Sequence, residues 1–455
     1  MRTLFLLLFL VVSTTLYSQN LSYNSLSKNQ KIYNLSLIWQ EVNYNFAYFN
    51  TKITKTEWDS IYINAISQVN NTKSASDYYR VLQSVVGNLH EGHTILIPPK
   101  GVNDRLGIVS LIPRYINGNF YVVGVGVEYK DEVFLGDKIV EINNMDTKVY
   151  FNNEIYPFES CAMHSRYRFL DYKLLLGKQT DSLLITVKGI KDGKRRQIKL
   201  YRHSKYGQFH SYVSYHKIKN YSFSVINNNI AYINIGSFAD RSILSKFQDD
   251  LDSIQKCSSV ILDIRGNSGG SSFGDQICKY FTNDTLFESY SMDTRVNNAY
   301  YKALGAYSSS QVADILDISP RYNEYEDYFL NNKYENKKWM TSTKDDSLRG
   351  VLSDKKIVIL TNQKVFSAAE TFVLTFRNLN IGTVIGQPTA GSSTQPLIIP
   401  LLGGGHIRIS TQRTLRKNGE IYSFIKPDIL VNPLIEDYLN GYDRILNAAI
   451  LFIEK

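Results

Sequence analysis

Apolar residues between positions 28 and 90 recur at steps of three and four, the spacing of one face of an α-helix. Leu35, Ile38, Val42 and Phe46 follow this spacing, and residues 58–66 and 78–85 repeat it. The double proline Pro98-Pro99 that follows is a natural boundary. We therefore expect a helical N-terminal domain over residues 20–100.

A different pattern fills residues 104–203. The segments FYVVGVGV (120–127), DKIVEIN (137–143) and DSLLITVKG (181–189) are short, rich in β-branched residues and separated by Gly, Asn and Asp. Such runs are typical of strands joined by turns. This part of the chain is predicted to be a small β-rich module.

Strand-like and helix-like segments alternate in the rest of the chain. Buried strands are predicted in residues 229–235, 258–267, 355–361 and 382–386, with helices at 238–254, from 274, after 367 and at 435–452. This alternation predicts an α/β/α layered domain over residues 204–455, which a Tyr- and Asn-rich insertion at 283–350 interrupts. The whole chain is thus expected to be an α+β multidomain protein.

The length of the chain predicts several domains, and the distribution of its charge argues against nucleic-acid binding. The 455 residues exceed the usual size of one domain, and the net charge of +9 is spread along the chain. The densest basic cluster, KDGKRRQIK (191–199), is interpreted as a solvated hairpin turn, so no nucleic-acid partner is expected.

Residues 1–19, MRTLFLLLFLVVSTTLYSQ, have the pattern of a signal peptide. A positive start at Arg2 precedes the apolar run Leu4–Val12 and a short polar stretch. No later segment has 18 consecutive apolar residues, so stable membrane insertion is not expected. The sequence predicts export, to the periplasm or the extracellular space.

The three cysteines do not form a recognisable framework. Cys161, Cys257 and Cys278 are odd in number and widely spaced, and they fit no zinc pattern. We expect buried free thiols, and neither a metal nor a cofactor is implied.

The stretch KVFSAAETF (364–372) can be interpreted in two ways. Ser367 and Glu370 have the spacing of a capping box, in which the serine only closes a helix start. A serine that opens a helix after a buried strand also lies at the carboxyl edge of the sheet, where α/β proteins bind ligands. There the N–H group of Ala368 could help to hold an oxyanion.

Two further stretches allow both a structural and a chemical role. DIRGNSGG (263–270) is either a tight strand-to-helix turn or a loop whose Gly269 and Gly270 let backbone N–H groups approach a substrate. HEGHT (90–94) resembles a zinc motif only superficially, because His90 and His93 are three residues apart instead of four.

The order of these stretches resembles the C-terminal-processing and tricorn-like serine peptidases, including their retinoid-binding-protein-like branch. DIRGNSGG, FSAAETF (366–372) and IGQPTAG (385–391) carry the resemblance, and NLHEGHT and KPDILVNP (426–433) resemble elements near the two ends of that family. LGDKIVEINN (135–144) resembles the core of a PDZ domain. The resemblance implies a PDZ-like module and a crotonase/ClpP-like peptidase domain.

The resemblance also implies roles for particular residues. Ser367 would be the nucleophile, and Gly269, Gly270 and Ala368 would bind the oxyanion and the substrate. The family's lysine base is replaced here by Ser392, so the histidine branch applies, with His93 as base and Glu420 as third member. His90 is the rival base. The implied reaction is hydrolysis of peptides or unfolded proteins.

Two other classes remain open at this point. A non-catalytic protein of the same fold would bind a peptide or a small apolar ligand in the same cleft. A metallohydrolase would use His90 and His93, but no third ligand stands out in the sequence.

Overall fold

The computed structural model describes residues 22, 25–103, 106–179, 181–214, 216–227, 229–316, 319–330, 333–344 and 346–455. The predicted signal peptide, residues 1–19, lies outside them. Within the described ranges, no helix combines the length and the apolar character needed to cross a membrane.

Helices dominate the N-terminal part, as the periodicity predicts. Each of the three long helices begins with a capping box, Ser27 with Gln30, Thr54 with Glu57, and Ser74 with Asp77. Their apolar faces meet around Trp58 and Tyr78, which are fully buried. The elements of this part are α1 (Lys28–Asn45), α2 (Lys55–Asn70), α3 (Ala75–Gly87), β1 (Leu96–Ile97) and α4 (Lys100–Asn103).

A β-rich unit follows, with a core of its own around Phe120, Phe151 and Ile185. Its main sheet has the order β10-β4-β5-β8-β9, with β3 beside β4 and β6 beside β5. This sheet extends past residue 203, because β10 pairs with β4. The elements are β2 (Leu106–Gly107), β3 (Leu111–Ile116), β4 (Asn119–Gly126), β5 (Lys138–Ile142), β6 (Met145–Asp146), α5 (Thr147–Tyr150), α6 (Arg166–Phe169), β7 (Gly177–Lys178), β8 (Ser182–Lys188), β9 (Arg195–Tyr201) and β10 (Phe209–Tyr212).

The remaining elements build the layered part. They are β11 (Tyr221–Ile226), β12 (Ile230–Ile235), α7 (Ser242–Asp249), α8 (Leu251–Gln255), β13 (Ser259–Asp263), α9 (Asp275–Cys278), β14 (Leu286–Arg295), α10 (Ala299–Ala306), α11 (Ser310–Leu316), α12 (Glu326–Phe329), β15 (Tyr334–Ser342), β16 (Lys356–Thr361), α13 (Ala368–Asn378), β17 (Thr383–Gly386), β18 (Pro396–Pro400), β19 (His406–Ser410), β20 (Gln412–Leu415), β21 (Ile429–Leu430), α14 (Ile435–Asn440) and α15 (Arg444–Ile453). The expected closing helix is two helices, because Gly441 between them adopts a left-handed conformation.

A six-stranded sheet lies at the centre of this part, in the order β11-β12-β13-β16-β17-β21. All pairs are parallel except β11 with β12. In β13, Val260 and Leu262 pack on the helix layer that contains α13, while Ile261 packs on α15 from the other side. A parallel sheet needs both faces covered, so the near-continuous apolar strands are explained. The predicted α/β/α layering is confirmed.

A hairpin from the layered part completes the N-terminal helical core. Leu401, Ile407 and Ile409, on or next to β18 and β19, pack among the N-terminal helices, and β1 pairs with β19. Tyr79 donates a hydrogen bond to the Gly404 carbonyl at 2.8 Å. This packing fixes the turn after α3, which contains His93, against the carboxyl edge of the central sheet.

The three cysteines are free and buried, as expected. Burial raises the pKa of the Cys161 thiol to about 12 and that of the Cys257 thiol as well. These thiols are therefore neutral packing groups at ordinary pH.

Candidate active site

Ser367 stands at a sharp turn between β16 and α13. Its backbone angles are φ 59° and ψ −130°, a region that non-glycine residues rarely occupy. Its side chain makes no capping hydrogen bond, and Glu370 reaches inward to the N–H groups of Gly391 and Ser392 at 2.9 and 2.7 Å. The capping-box interpretation is therefore wrong for this serine. Strain of this kind is typical of functional positions.

The hydroxyl of Ser367 faces the imidazole of His93. The distance from Ser367 Oγ to His93 Nε2 is 3.0 Å, within hydrogen-bond reach. The ring of His93 stacks on Phe366 with centroids 4.3 Å apart. The two residues are 274 positions apart in the chain and meet at the junction of the helical and layered parts.

The other nitrogen of His93 is bound by Ser392. Nδ1 lies 2.6 Å from Ser392 Oγ, and Ser392 donates its hydroxyl proton to Glu91 Oε1. A hydroxyl has one proton, so Ser392 Oγ must accept from Nδ1–H. The geometry therefore selects the tautomer whose Nε2 is unprotonated and able to accept a proton from Ser367.

Glu91 is a fully buried carboxylate that is fully hydrogen-bonded. It accepts from the N–H groups of His93 and Thr94 at 3.0 and 2.9 Å, and from the hydroxyls of Ser392 and Ser410. Burial opposes its charge, but His93, Lys52 and the two serine hydroxyls outweigh burial and lower the pKa of Glu91. Glu91 is therefore ionised at neutral pH and can only accept hydrogen bonds.

Burial has the opposite consequence for the imidazole. It is the largest effect on His93 and lowers the pKa of the ring below its usual 6.5; Arg408 lowers it further, while Glu91 raises it. His93 is thus mostly neutral at pH 7, which is the state that a general base requires.

The three expected oxyanion residues surround Ser367 but do not have equal roles. The Gly269 N–H is donated to Asn267 Oδ1 at 2.8 Å, so the expectation of a donor at Gly269 is corrected. Its missing side chain matters instead, because a Cβ there would lie 2.8 Å from Ser367 Cβ. Among the described residues, the N–H groups of Gly270 and Ala368 have no protein acceptor and remain as candidate donors.

Glu420 is not brought to His93, and its expected role is corrected. It is exposed in the turn after β20, where its carbonyl accepts from Arg416 N and its N–H is donated to Asn418 Oδ1. Neither of these hydrogen bonds involves His93. Ser392 and Glu91 occupy the Nδ1 side of His93 instead.

Neither the rival histidine nor the nearest lysine reaches the nucleophile. His90 points away from Ser367, with Nδ1 3.0 Å from the Tyr156 hydroxyl and the two rings stacked. Lys364, the nearest lysine in sequence, has its pKa lowered by burial and interacts electrostatically with Asp171 and Arg114 of the β-rich unit.

The sequence contains a weak signal for Ser392 and Glu91, although it assigns neither of them a role. Ser392 stands at the place of the family's lysine, and Glu91 lies inside the HEGHT stretch. A hydroxyl residue in place of a missing lysine base is a candidate hydrogen-bonding partner for the histidine that replaces that base. A search for partners of His93 could have used this coincidence.

Comparison with known proteins gives the class. Residues 229–431 match the model of peptidase family S41. The structure of mature CPAF complexed with lactacystin superposes with a TM-score of 0.68 at 11% identity, covering 93% of this chain and 97% of that one. A putative peptidase from Parabacteroides merdae gives a TM-score of 0.52 at 17% identity, covering 94% and 97%. These two structures share the fold.

The family match, the fold and the serine with its histidine define a serine-type peptidase, a hydrolase.

Gly92 provides a test of the site geometry. A Cβ at residue 92 would lie 2.7 Å from the Phe366 ring and 3.2 Å from Ser392 Cβ. We expect Gly92→Ala to shift the His93 turn and to lower kcat about a hundredfold, because small misplacements of catalytic groups have large effects. Stability should fall by about 1–3 kcal/mol, as for overpacking elsewhere. Initial rates and thermal melting measure the two effects, and unchanged rates would contradict the geometry.

Proposed function

We propose that this chain is an exported serine endopeptidase in which Ser367 is the nucleophile and His93 its general base. The observation that carries the proposal is the 3.0 Å contact between Ser367 Oγ and an Nε2 that the hydrogen-bond pattern leaves unprotonated. A strained serine at the start of a helix and two N–H groups without acceptors beside it, among the described residues, support the same chemistry.

The reaction follows from this arrangement. Ser367 Oγ attacks the peptide carbonyl while its proton passes to His93 Nε2, and the carbonyl oxygen becomes an oxyanion near the N–H groups of Gly270 and Ala368. His93 then gives the proton to the leaving amine, and an acyl-enzyme remains on Ser367. Water, deprotonated by His93, attacks the acyl carbon, and the imidazolium returns the proton to Ser367 Oγ as the second product leaves.

Ser392 and Glu91 are proposed as positioning residues for His93. The chain Glu91–Ser392–His93 holds the tautomer and, through the ionised carboxylate, stabilises the imidazolium that forms during attack. It takes the part that the family resemblance implies for Glu420. Glu370 supports the loop from the opposite side through the N–H groups of Gly391 and Ser392.

The substrate class and the location belong to the same proposal. The β-rich unit, whose strand β5 lies within the PDZ-like stretch 135–144, would present peptides or unfolded proteins to the site. A cavity of about 340 Å³ beside β5 is lined by basic and acidic side chains together, among them Lys138, Arg195 and Glu141, and offers a place for part of a peptide. Export to the periplasm or beyond rests on the pattern of residues 1–19 alone.

Substitution of the nucleophile is the direct test. Ser367→Ala should abolish hydrolysis of an unfolded protein such as casein. Stability should change little, because the hydroxyl caps no helix and its hydrogen bond is to His93. A fluorophosphonate probe should label the wild type and not the variant. Turnover near that of the wild type in Ser367→Ala would refute the assignment.

The two histidines should differ in their effect on rate. His93→Ala should lose at least about a hundredfold in kcat/KM, the low end for acid–base catalysis, and His90→Ala should lose little. Because a base must be neutral, the wild-type rate should rise with pH through the pKa of His93, which burial lowers below 6.5. A pH–rate profile of all three proteins measures this, and an active His93→Ala enzyme would exclude His93 as the base.

Glu91 and Glu420 form a matched pair. Glu91→Gln should lower kcat by about tenfold or more, since the imidazolium loses its ionised partner. It should also move the acidic limb of the profile to lower pH, because Glu91 raises the pKa of His93. Glu420→Gln should change neither quantity. The reverse pattern would restore Glu420 as the third member.

A further inference from the structure

A cavity of about 420 Å³ lies beside the loop that contains Gly269 and Gly270. Ser271, Ser272 and Phe273, the next residues of the chain, form one wall. A Cβ on Gly269 would lie 2.8 Å from Ser367 Cβ. With about 3.8 Å between consecutive Cα atoms, the Cα of Ser271 lies within about 12 Å of Ser367 Cβ. This wall of the cavity therefore lies within the length of a few residues of a peptide held at the nucleophile.

Asp275, at the start of α9, forms part of the same wall. Its side chain is only 2% exposed, and its Oδ2 has no hydrogen-bond partner in the described part of the chain. Buried carboxyl oxygens are nearly always satisfied, because an unpaired one costs free energy on leaving water. A carboxyl oxygen that the protein leaves unpaired, in a residue that lines a cavity, indicates that a donor from outside the chain belongs there.

The charge environment indicates what kind of donor is missing. Burial raises the pKa of Asp275 to about 7, and the only groups that lower it are the nearby hydroxyls of Ser289 and Thr375, which bring no positive charge and leave Oδ2 without a hydrogen bond. Arg241 is an exposed residue lining the cavity, and no ion pair joins it to Asp275 among the described residues. A cation brought by a ligand would therefore be the first positive partner of this carboxylate.

The rest of the cavity suits a long side chain with a charged end. Leu244, Phe273 and Met340 supply apolar surface, on which the stem of a lysine or arginine can pack. Trp339 is 44% exposed beside Met340, and an indole face attracts cations. A cavity with apolar sides and a buried carboxylate at its end distinguishes a long side chain with a positive charge at its tip from one without a charge.

We propose that this cavity is a substrate subsite, in which the carboxylate of Asp275 binds the lysine or arginine side chain of a peptide held at Ser367. The inference rests on the proposed peptidase function and adds a substrate class to it. Phe273 packs on Phe238, which packs on Phe372 of α13, so the subsite and the nucleophile helix belong to one rigid cluster.

The test compares lysine with norleucine, which has a similar stem without the charge. A set of peptides that places one lysine at each position around the cleaved bond should show one position with at least about a tenfold preference in kcat/KM over norleucine, the worth of a charged hydrogen bond. Asp275→Asn should reduce this ratio to about one, because the loss in kcat/KM falls mainly on the lysine peptides. Arg241→Ala is the control from the same cavity and should not reduce the ratio.

The pH dependence of the ratio is a second signature. The protonation of His93 affects the cleavage of both peptides equally, because both need the same base, so it cancels in the ratio of their kcat/KM values. Cys278 on α9 and Tyr290 on β14, the titratable groups that interact with Asp275, have their pKa raised by burial, that of Tyr290 to about 12, and stay neutral between pH 6 and 8. Only the carboxylate form of Asp275 binds a cation, so the wild-type ratio should rise about tenfold from pH 6 to pH 8.

The outcomes separate the two proposals. Hydrolysis by the wild type that is lost in Ser367→Ala, with equal use of lysine and norleucine at every position, would overturn the subsite and leave the peptidase. A glutamine preference in place of lysine would also overturn it, since a protonated Asp275 would then be the binding form. Calorimetric binding of the two peptides to the full-length Ser367→Ala protein gives the same comparison without catalysis, so an inactive wild type still tests the subsite.

Discussion

The buried carboxylate of Glu91 is the interaction on which the site depends. A charge without contact with water is tolerated only when hydrogen bonds replace its hydration. Here the replacement comes from His93 and Thr94 of its own turn, from Ser392 in the loop after β17, and from Ser410 at the end of β19. Satisfying one carboxylate therefore fixes three remote segments relative to one another.

The same constraint explains why the catalytic groups lie at a junction between parts of the molecule. The N-terminal helices could bury their own faces, but their core is completed by Leu401, Ile407 and Ile409 from the far end of the chain. The pairing of β1 with β19 then holds the turn that contains His93 in place beside the edge of the central sheet. His93 belongs to the helical part and Ser367 to the layered part, so the two residues can react together only when this packing is intact.

The local sequence predicted helices and strands well where an element buries either one face or its whole surface. The helical spacing of Leu35, Ile38 and Val42 and the continuous apolar strand around Ile261 correspond to the structure, because each pattern reflects a single packing environment. The capping-box interpretation of Ser367 was wrong, because S-x-x-E spacing indicates only that a helix starts there. It carries no information about the strained backbone of Ser367, whose hydroxyl faces His93. The single closing helix was wrong for a similar reason, because only the folded chain shows Gly441 as a left-handed break.

By itself the sequence determined the layered fold, the serine at the sheet edge and the histidine to which the family resemblance points. The identity of the third and fourth groups was decided only by the tertiary structure. Glu420 had nearly the right position in sequence, yet its turn faces solvent. Glu91 and Ser392 lie 301 positions apart, and the sequence gives only the weak signal of a serine at the place of the family's lysine. The physical reason is that a buried charge recruits whichever donors the packed domains bring to it, and that neighbourhood exists only once the helical and layered parts have closed on each other.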